Sequence, residues 1–193
     1  MSRVFDPGRR ARLDAPERAE WQKPDEVVAA LGLEPGATVA DVGAGTGYFT
    51  FRIAEQVGPA GRVFAVDLQQ EMLDALKERA AQTGAANVIP VLSGPVETGL
   101  DAASVDLVFA ANVVHEYRDL GEALSEFSRV LKPGGRLAVV DWKPEQTPAG
   151  PPLDHRLSPE RILAAARAAG FSTADRLDLL PYHYFLFLNK AAG

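Results

Sequence analysis

Thr38-Val39-Ala40-Asp41-Val42 passes without a break into Gly43-Ala44-Gly45-Thr46-Gly47, and this join decides the fold. The first half reads as a short buried strand. The second half is a turn whose alternate glycines allow tight curvature and close backbone approach. Tyr48 to Val57 then reads as a helix, so the turn opens onto a helix N-terminus with free N–H groups. An empty tight turn is the alternative reading, although three glycines cost backbone entropy that an empty turn need not incur. The spacing Gly43-x-Gly45-x-Gly47, with Tyr48 next, is an imperfect match to the dinucleotide fingerprint G-x-G-x-x-G. Asp41 beside the turn suits a ligand carrying an ammonium group better than a pyrophosphate.

Downstream, strands and helices alternate. Arg62 to Leu68 reads as a strand, Gln70 to Thr83 as a helix, Val88 to Leu92 and Val105 to Ala111 as strands. Asp119 to Lys132 carries an apolar stripe of Leu120, Ala123, Leu124, Phe127, Val130 and Leu131, and Asp119 and Glu122 have capping-box spacing. Lys132-Pro133-Gly134-Gly135 ends that helix, and Arg136 to Trp142 is a fifth strand. Such alternation predicts an α/β fold, a Rossmann-like three-layer sandwich around a mostly parallel sheet.

The tail changes character. Pro144 to Pro152 holds four prolines in nine residues and reads as a loop. Ser158-Pro159-Glu160 opens a helix that Gly170 closes. Thr173 to Leu180 reads as an edge strand and Tyr182 to Leu188, apolar on both faces, as an interior one. With Pro181 as the whole connection, no parallel crossover fits, so the last strand must return antiparallel inside the edge strand.

Upstream, residues 1–20 are polar and Arg-rich and read as an irregular arm, while Pro24, Asp25 and Glu26 open a helix that Gly32 stops. Met1 to Arg12 lacks an apolar core and a cleavage site, so no signal peptide is predicted. No apolar run is long enough to span a membrane, and a cytoplasmic protein is expected. The 193 residues carry 20 basic and 26 acidic side chains, net −6, which argues against nucleic acid or an anionic membrane as main partner. The absence of cysteine excludes disulfides, thiolate nucleophiles and zinc–cysteine sites, and no residue is assigned to a metal.

Asp67 lies 20 residues beyond Gly47, at the end of the second strand. A carboxylate there can accept both hydroxyls of a ribose, or merely cap the next helix. With the glycine turn it indicates an adenosine-type ligand. Asp41 to Phe49 resembles the first motif of class I S-adenosylmethionine-dependent methyltransferases, and Val63 to Asp67 resembles the second. Ser104 to Phe109 is similar to their fourth-strand motif, and Leu131 to Leu137 to the turn before the fifth strand. The likeness covers about residues 24 to 190 and is closest to the broad ubiquinone/menaquinone C-methyltransferase group.

The resemblance implies a seven-stranded sheet of order 3-2-1-4-5-7-6, an arm or lid over residues 1–23 and one methyltransferase domain over 24–193. It implies S-adenosylmethionine as cofactor, S-adenosylhomocysteine as product and a small or medium organic acceptor. Gly43, Ala44, Gly45 and Gly47 would underlie the methionine and ribose portions, with Asp41 supporting the ammonium contact. Asp67 would hold the ribose, Leu68 would pack on the adenine and Asn112 would flank the methionine. Many relatives carry an Asp after the third strand for the adenine amino group. Here Ser93 and Gly94 stand in its place, so Ser93, a backbone group or Glu97 bending back must substitute. Arsenite methyltransferases share the fold but need cysteines, and the Asn/Asp-Pro-Pro-Tyr motif of amino-group methyltransferases is missing.

Ligands bind at the C-terminal ends of the strands in such sheets. That selects His115 and Glu116 after the fourth strand and Asp141 after the fifth as candidates for catalysis, with Tyr117, Trp142 and His155 nearby in sequence. His115 is the best base because its ordinary pKa lies near neutrality, the alternative being that it caps the next helix or bonds to backbone. Glu116 could be a surface acid and Asp141 a loop cap. Arg18, Trp21 and Gln22 could cover the cofactor or only pack, and Tyr182, His183 and Tyr184 read mainly as core. Two other functions stay open: an S-adenosylmethionine-binding module without activity, and an NAD-dependent oxidoreductase, which the glycine spacing opposes.

Overall fold

The computed structural model describes Gly8 and residues 16–191. Its elements are α1 (Arg18–Gln22), α2 (Pro24–Ala30), β1 (Thr38–Val42), α3 (Thr50–Val57), β2 (Arg62–Asp67), α4 (Gln70–Thr83), β3 (Val88–Leu92) and β4 (Val105–Ala111). There follow α5 (Leu120–Val130), β5 (Leu131–Trp142), α6 (Pro159–Ala168), β6 (Phe171–Leu177) and β7 (His183–Lys190). The seven strands form one sheet in the order β3-β2-β1-β4-β5-β7-β6. The first five are parallel, and β7 runs antiparallel to both β5 and β6. The central strands are apolar because helices cover both faces. Val27, Ile53, Val57 and Leu76 pack on one face with Phe185 and Phe187. Leu124, Phe127 and Ile162 pack on the other with Leu186 and Leu188.

The cap signals act as read. Asp119 Oδ1 accepts from the Glu122 N–H at 3.0 Å, and Ser158 Oγ from the Arg161 N–H at 3.3 Å. Asp119→Ala removes the first of these bonds, and an N-cap of this kind is worth about 0.5–2 kcal/mol. A urea midpoint lowered without a change in slope is the expected result; an unchanged midpoint would mean that packing alone holds α5.

Several boundaries differ from the sequence reading. α3 begins at Thr50 rather than Tyr48, because the turn runs on through Phe49. α5 stops at Val130, and Leu131 already pairs with Val105. Lys132-Pro133-Gly134-Gly135 is therefore a bulge inside β5 rather than a helix stop, and pairing resumes at Arg136 with Leu107. β6 covers Phe171–Leu177 instead of 173–180, so the connection is Asp178 to Tyr182 and not Pro181 alone. Leu180 explains the misreading: it is buried in the core beneath the loop, which imitates a strand pattern. The antiparallel return survives this correction, with His183 to Leu188 buried between β5 and β6.

The predicted irregular arm contains α1. Lys23 ends it with left-handed backbone (φ 43°), and Pro24 starts α2 at once. Residues 1–15 of the arm, Gly8 apart, lie outside the described residues.

Candidate active site

The glycine turn sits between the ends of β1 and β2. Gly43 and Ala44 N–H groups donate to the Val66 carbonyl at 2.8 and 3.1 Å, which folds the turn back over β2. Gly43 has φ 72°, and a Cβ there would lie 2.8 Å from Val113 Cβ. Gly47 has φ 86°, and a Cβ would collide with the Phe51 ring. Both positions therefore need glycine for conformation and for space.

Asp67 closes the turn. Its Oδ2 accepts from the Gly45 N–H at 2.8 Å and its Oδ1 from the Gln69 N–H at 2.9 Å. Each carboxylate oxygen can accept a second bond, so capacity for a diol remains. Burial raises the Asp67 pKa against the pull of these N–H donors. Leu68, next along, is a large apolar side chain left 45% exposed. The Ser93 N–H donates to the Asp67 carbonyl at 2.9 Å, which brings the end of β3 to the same place. Gly94 donates its N–H to the Glu97 carbonyl, and Glu97 Oε2 lies 2.6 Å from where a Gly94 Cβ would stand. Glu97 thus folds back over Gly94, one of the substitutes the sequence left open.

Asp41 is buried beneath the turn and accepts from Thr50 Oγ1 at 2.5 Å. Burial pushes its pKa up to about 7, with Asp67 adding to the rise and Thr50 and Arg18 opposing it. Asn112 holds left-handed backbone (φ 57°) just past β4, and its N–H donates to the Val140 carbonyl at 2.8 Å. Its Oδ1 is buried and has no hydrogen-bond partner among the described residues. A buried acceptor without a donor is costly. The site therefore offers a free acceptor, a diol-ready carboxylate and an exposed apolar flank. These fit the ammonium, ribose and adenine of S-adenosylmethionine.

On the other side of Asn112, the short turn Val114–Glu116 carries His115 against Asp141 at the end of β5. His115 Nδ1 lies 2.8 Å from Asp141 Oδ1, and the His115 N–H donates to Oδ2 at 3.1 Å. The Trp142 N–H donates to Oδ1 at 2.7 Å, so the carboxylate is held by backbone on both sides. The two side chains are 6% and 1% exposed. Burial pulls the His115 pKa down, but the charge and hydrogen bond of Asp141, with Glu116 assisting, carry it above the ordinary 6.5. With Nδ1–H given to Asp141, Nε2 is left as the basic nitrogen. Glu116 is half-buried in the same turn.

α1 covers this edge. Arg18 and Gln22 are buried, with Arg18 Nε donating to Gln22 Oε1 at 2.6 Å and its guanidinium 4.0 Å from the Tyr48 ring centre. Trp21 packs against Trp142, Tyr182 and His183, with ring centres 5.4, 6.2 and 5.6 Å away. His155, a sequence candidate, sits in the short turn Leu153–His155 beyond the proline loop.

Residues 33–166 match the family described as a methyltransferase domain. The chain belongs to the class I S-adenosylmethionine-dependent methyltransferases. It is similar to an arsenite methyltransferase of Halobacterium salinarum, 35% identical over 77% of this chain and 37% of that one. It is similar also to a demethylmenaquinone methyltransferase of Listeria monocytogenes, 30% identical over 67% of this chain and 54% of the relative. The chain thus spans between about a third and a half of the length of these two curated relatives. A solved S-adenosylmethionine-dependent methyltransferase from Aquifex aeolicus is 32% identical, superposes with a TM-score of 0.93, and is matched over 97% of this chain and 100% of its own. Among the described residues no helix is long and apolar enough to cross a membrane.

Proposed function

We propose that the chain is a cytoplasmic enzyme that moves the methyl group of S-adenosylmethionine to an O or C nucleophile of a small or medium organic acceptor. Residues 24–193 would form its methyltransferase domain and 1–23 its arm. The observation that carries the reading is the buried His115–Asp141 pair beside the open acceptor of Asn112. An oxygen or acidic carbon nucleophile must lose a proton, and a positioned base serves that need.

Asp67 would hold the ribose, Leu68 the adenine, and Asn112 and the Asp41-supported turn the ammonium, with Glu97 or Ser93 facing the adenine edge. Bound S-adenosylmethionine supplies the electrophilic methyl. His115 Nε2 takes the acceptor proton, while Asp141 fixes the tautomer and balances the imidazolium that forms. Glu116 reinforces that balance through its charge. The relative that methylates demethylmenaquinone, as its name states, supports an organic acceptor. The arsenite activity named for the other does not carry across, because this chain offers no cysteine thiolate to a thiophilic element.

A panel of phenols, enols, carboxylic acids and amines, assayed for S-adenosylhomocysteine release, tests the proposal. Turnover with O–H or acidic C–H acceptors is expected, rising with pH through a value above 6.5 as His115 becomes neutral. Turnover confined to amines would contradict it, and cofactor binding without turnover on any acceptor would favour the inactive-module reading.

Asp41 adds a pH dependence to cofactor binding. Its folded pKa of about 7 exceeds the ordinary 3.8, so its contribution to stability is full below the ordinary value and is lost as pH rises through about 7. An incoming ammonium favours the carboxylate, so binding should release a proton below that pH and tighten as pH rises toward it. Calorimetry with S-adenosylhomocysteine in buffers of different ionisation enthalpy measures this release; no release at about pH 6 would show that Asp41 does not meet the ammonium.

A further inference from the structure

His183 begins β7, and because that strand is antiparallel its first residue lands beside Trp142 at the end of β5, where ligands meet the sheet. Its side chain is fully buried, and both ring nitrogens lack a hydrogen-bond partner among the described residues. Trp142 and Trp21 pack on the ring, with centres at 4.1 and 5.6 Å, the latter parallel within 3°. A phenylalanine would satisfy that packing, so the packing does not account for two polar nitrogens. Gln22, also fully buried and next to Trp21 on α1, has an Nε2 without a partner among the described residues. Two independent side chains, one on α1 and one on β7, therefore carry unmet hydrogen-bonding groups, and Trp21, the neighbour of Gln22 on α1, packs on the His183 ring. Tyr184, the next residue along, has its hydroxyl in the same condition on the opposite face, against Asp141.

The surroundings select the ligand class. Trp21, Trp142 and Tyr182 supply flat walls, which suit a planar molecule. Arg18, Arg156 and Lys143 all stand close enough to act on His183 by charge, so the potential here favours an anion. Burial first, and then these cations, keep the imidazole neutral, with its pKa lowered to about 3. A neutral imidazole presents one N–H donor and one acceptor, and Gln22 adds a second donor. Two donors suit a carboxylate or phenolate oxygen, and the remaining ring nitrogen suits a hydroxyl.

We propose that His183 and Gln22, walled by Trp21 and Trp142, form the acceptor-recognition subsite and that it takes a planar hydroxylated aromatic acid. The assignment rests on the methyl-transfer reading above and narrows it to a substrate class. Trp21 lies over the His183 ring, so a planar ligand enters between the two rings, which separate to admit it and leave Trp21 as its outer wall.

The chain has two tryptophans, and both belong to this cluster, so intrinsic emission reports directly on it. Hydroxybenzoates and hydroxycinnamates are titrated into the protein saturated with S-adenosylhomocysteine, whose own binding is measured first by calorimetry. A saturable change in emission is expected, with benzylamine (a planar cation) and cyclohexanecarboxylate (a non-planar anion) binding about tenfold more weakly or worse. His183→Phe should bind the aromatic acids about tenfold more weakly while keeping cofactor affinity. Gln22→Leu should do the same less strongly, and it serves if His183→Phe fails to fold. Cofactor binding with no saturable response to any planar anion would overturn the proposal alone. Equal affinity for benzylamine, or unchanged affinity in both variants, would do likewise, leaving the two groups to water. Failure of S-adenosylhomocysteine itself to bind would instead remove the reading beneath it.

Discussion

His115→Ala should lower the turnover number by about 10²–10⁴-fold, the usual worth of a positioned general base. The expectation comes from geometry. The 2.8 Å contact to Asp141 uses Nδ1, so Nε2 is the nitrogen open to a substrate proton. Because Asp141 and Glu116 outweigh burial and raise the His115 pKa, the base form gains ground only above the ordinary 6.5. The wild-type rate should therefore climb with pH through that raised value, and the variant should lose this limb of the profile. Asp141→Asn should lose rate as well, since an amide can leave the imidazole in the wrong tautomer. Affinity for S-adenosylhomocysteine should change little in His115→Ala. A variant that loses cofactor affinity or melting temperature but keeps its rate would make the pair a structural tie between β4 and β5.

Asp67→Ala carries the second large effect. Two hydroxyl contacts to a charged acceptor are lost, at about 1.5–3 kcal/mol, which corresponds to roughly tenfold to hundredfold weaker binding. The side chain also ties the Gly45 N–H and the Gln69 N–H, so the glycine turn should loosen and the melting temperature should fall. Asp67→Asn separates the two consequences, because its remaining carbonyl oxygen can keep one of the backbone donors while the charge is gone. Calorimetry on both variants, with thermal melts alongside, is the measurement. Unchanged affinity in Asp67→Ala would place the ribose elsewhere.

The α/β alternation was legible because local signals agree with tertiary demand. Gln70–Thr83, Val88–Leu92 and Val105–Ala111 fall where the apolar pattern and turn residues put them. The glycine turn and Asp67 were legible for the same reason: both lie within one strand–turn–helix–strand unit, from β1 to the end of β2. What failed was whatever depends on packing across distance. Leu180 reads as strand and is a loop residue, because burial beneath a core is indistinguishable from burial in a sheet when only polarity is visible. The His115–Asp141 contact joins residues 26 apart, and it exists because β4 and β5 pair Ala110 with Val139 and Ala111 with Val140. Each residue could be nominated singly, but not their contact. His183 was read mainly as core, and it is fully buried, at the strand end that the antiparallel return sets beside Trp142. Glu97 was one of three named substitutes at Gly94, and only the folded loop shows it lying over that glycine.

A crystal structure with S-adenosylhomocysteine bound tests the central claim most directly. The expected result places both ribose hydroxyls on Asp67, the ammonium within hydrogen-bond distance of Asn112 Oδ1 and the adenine against Leu68. The sulfur should then point along the sheet edge toward His115. A cofactor seated away from the Gly43–Gly47 turn, or a sulfur facing away from the His115–Asp141 pair, would contradict the account.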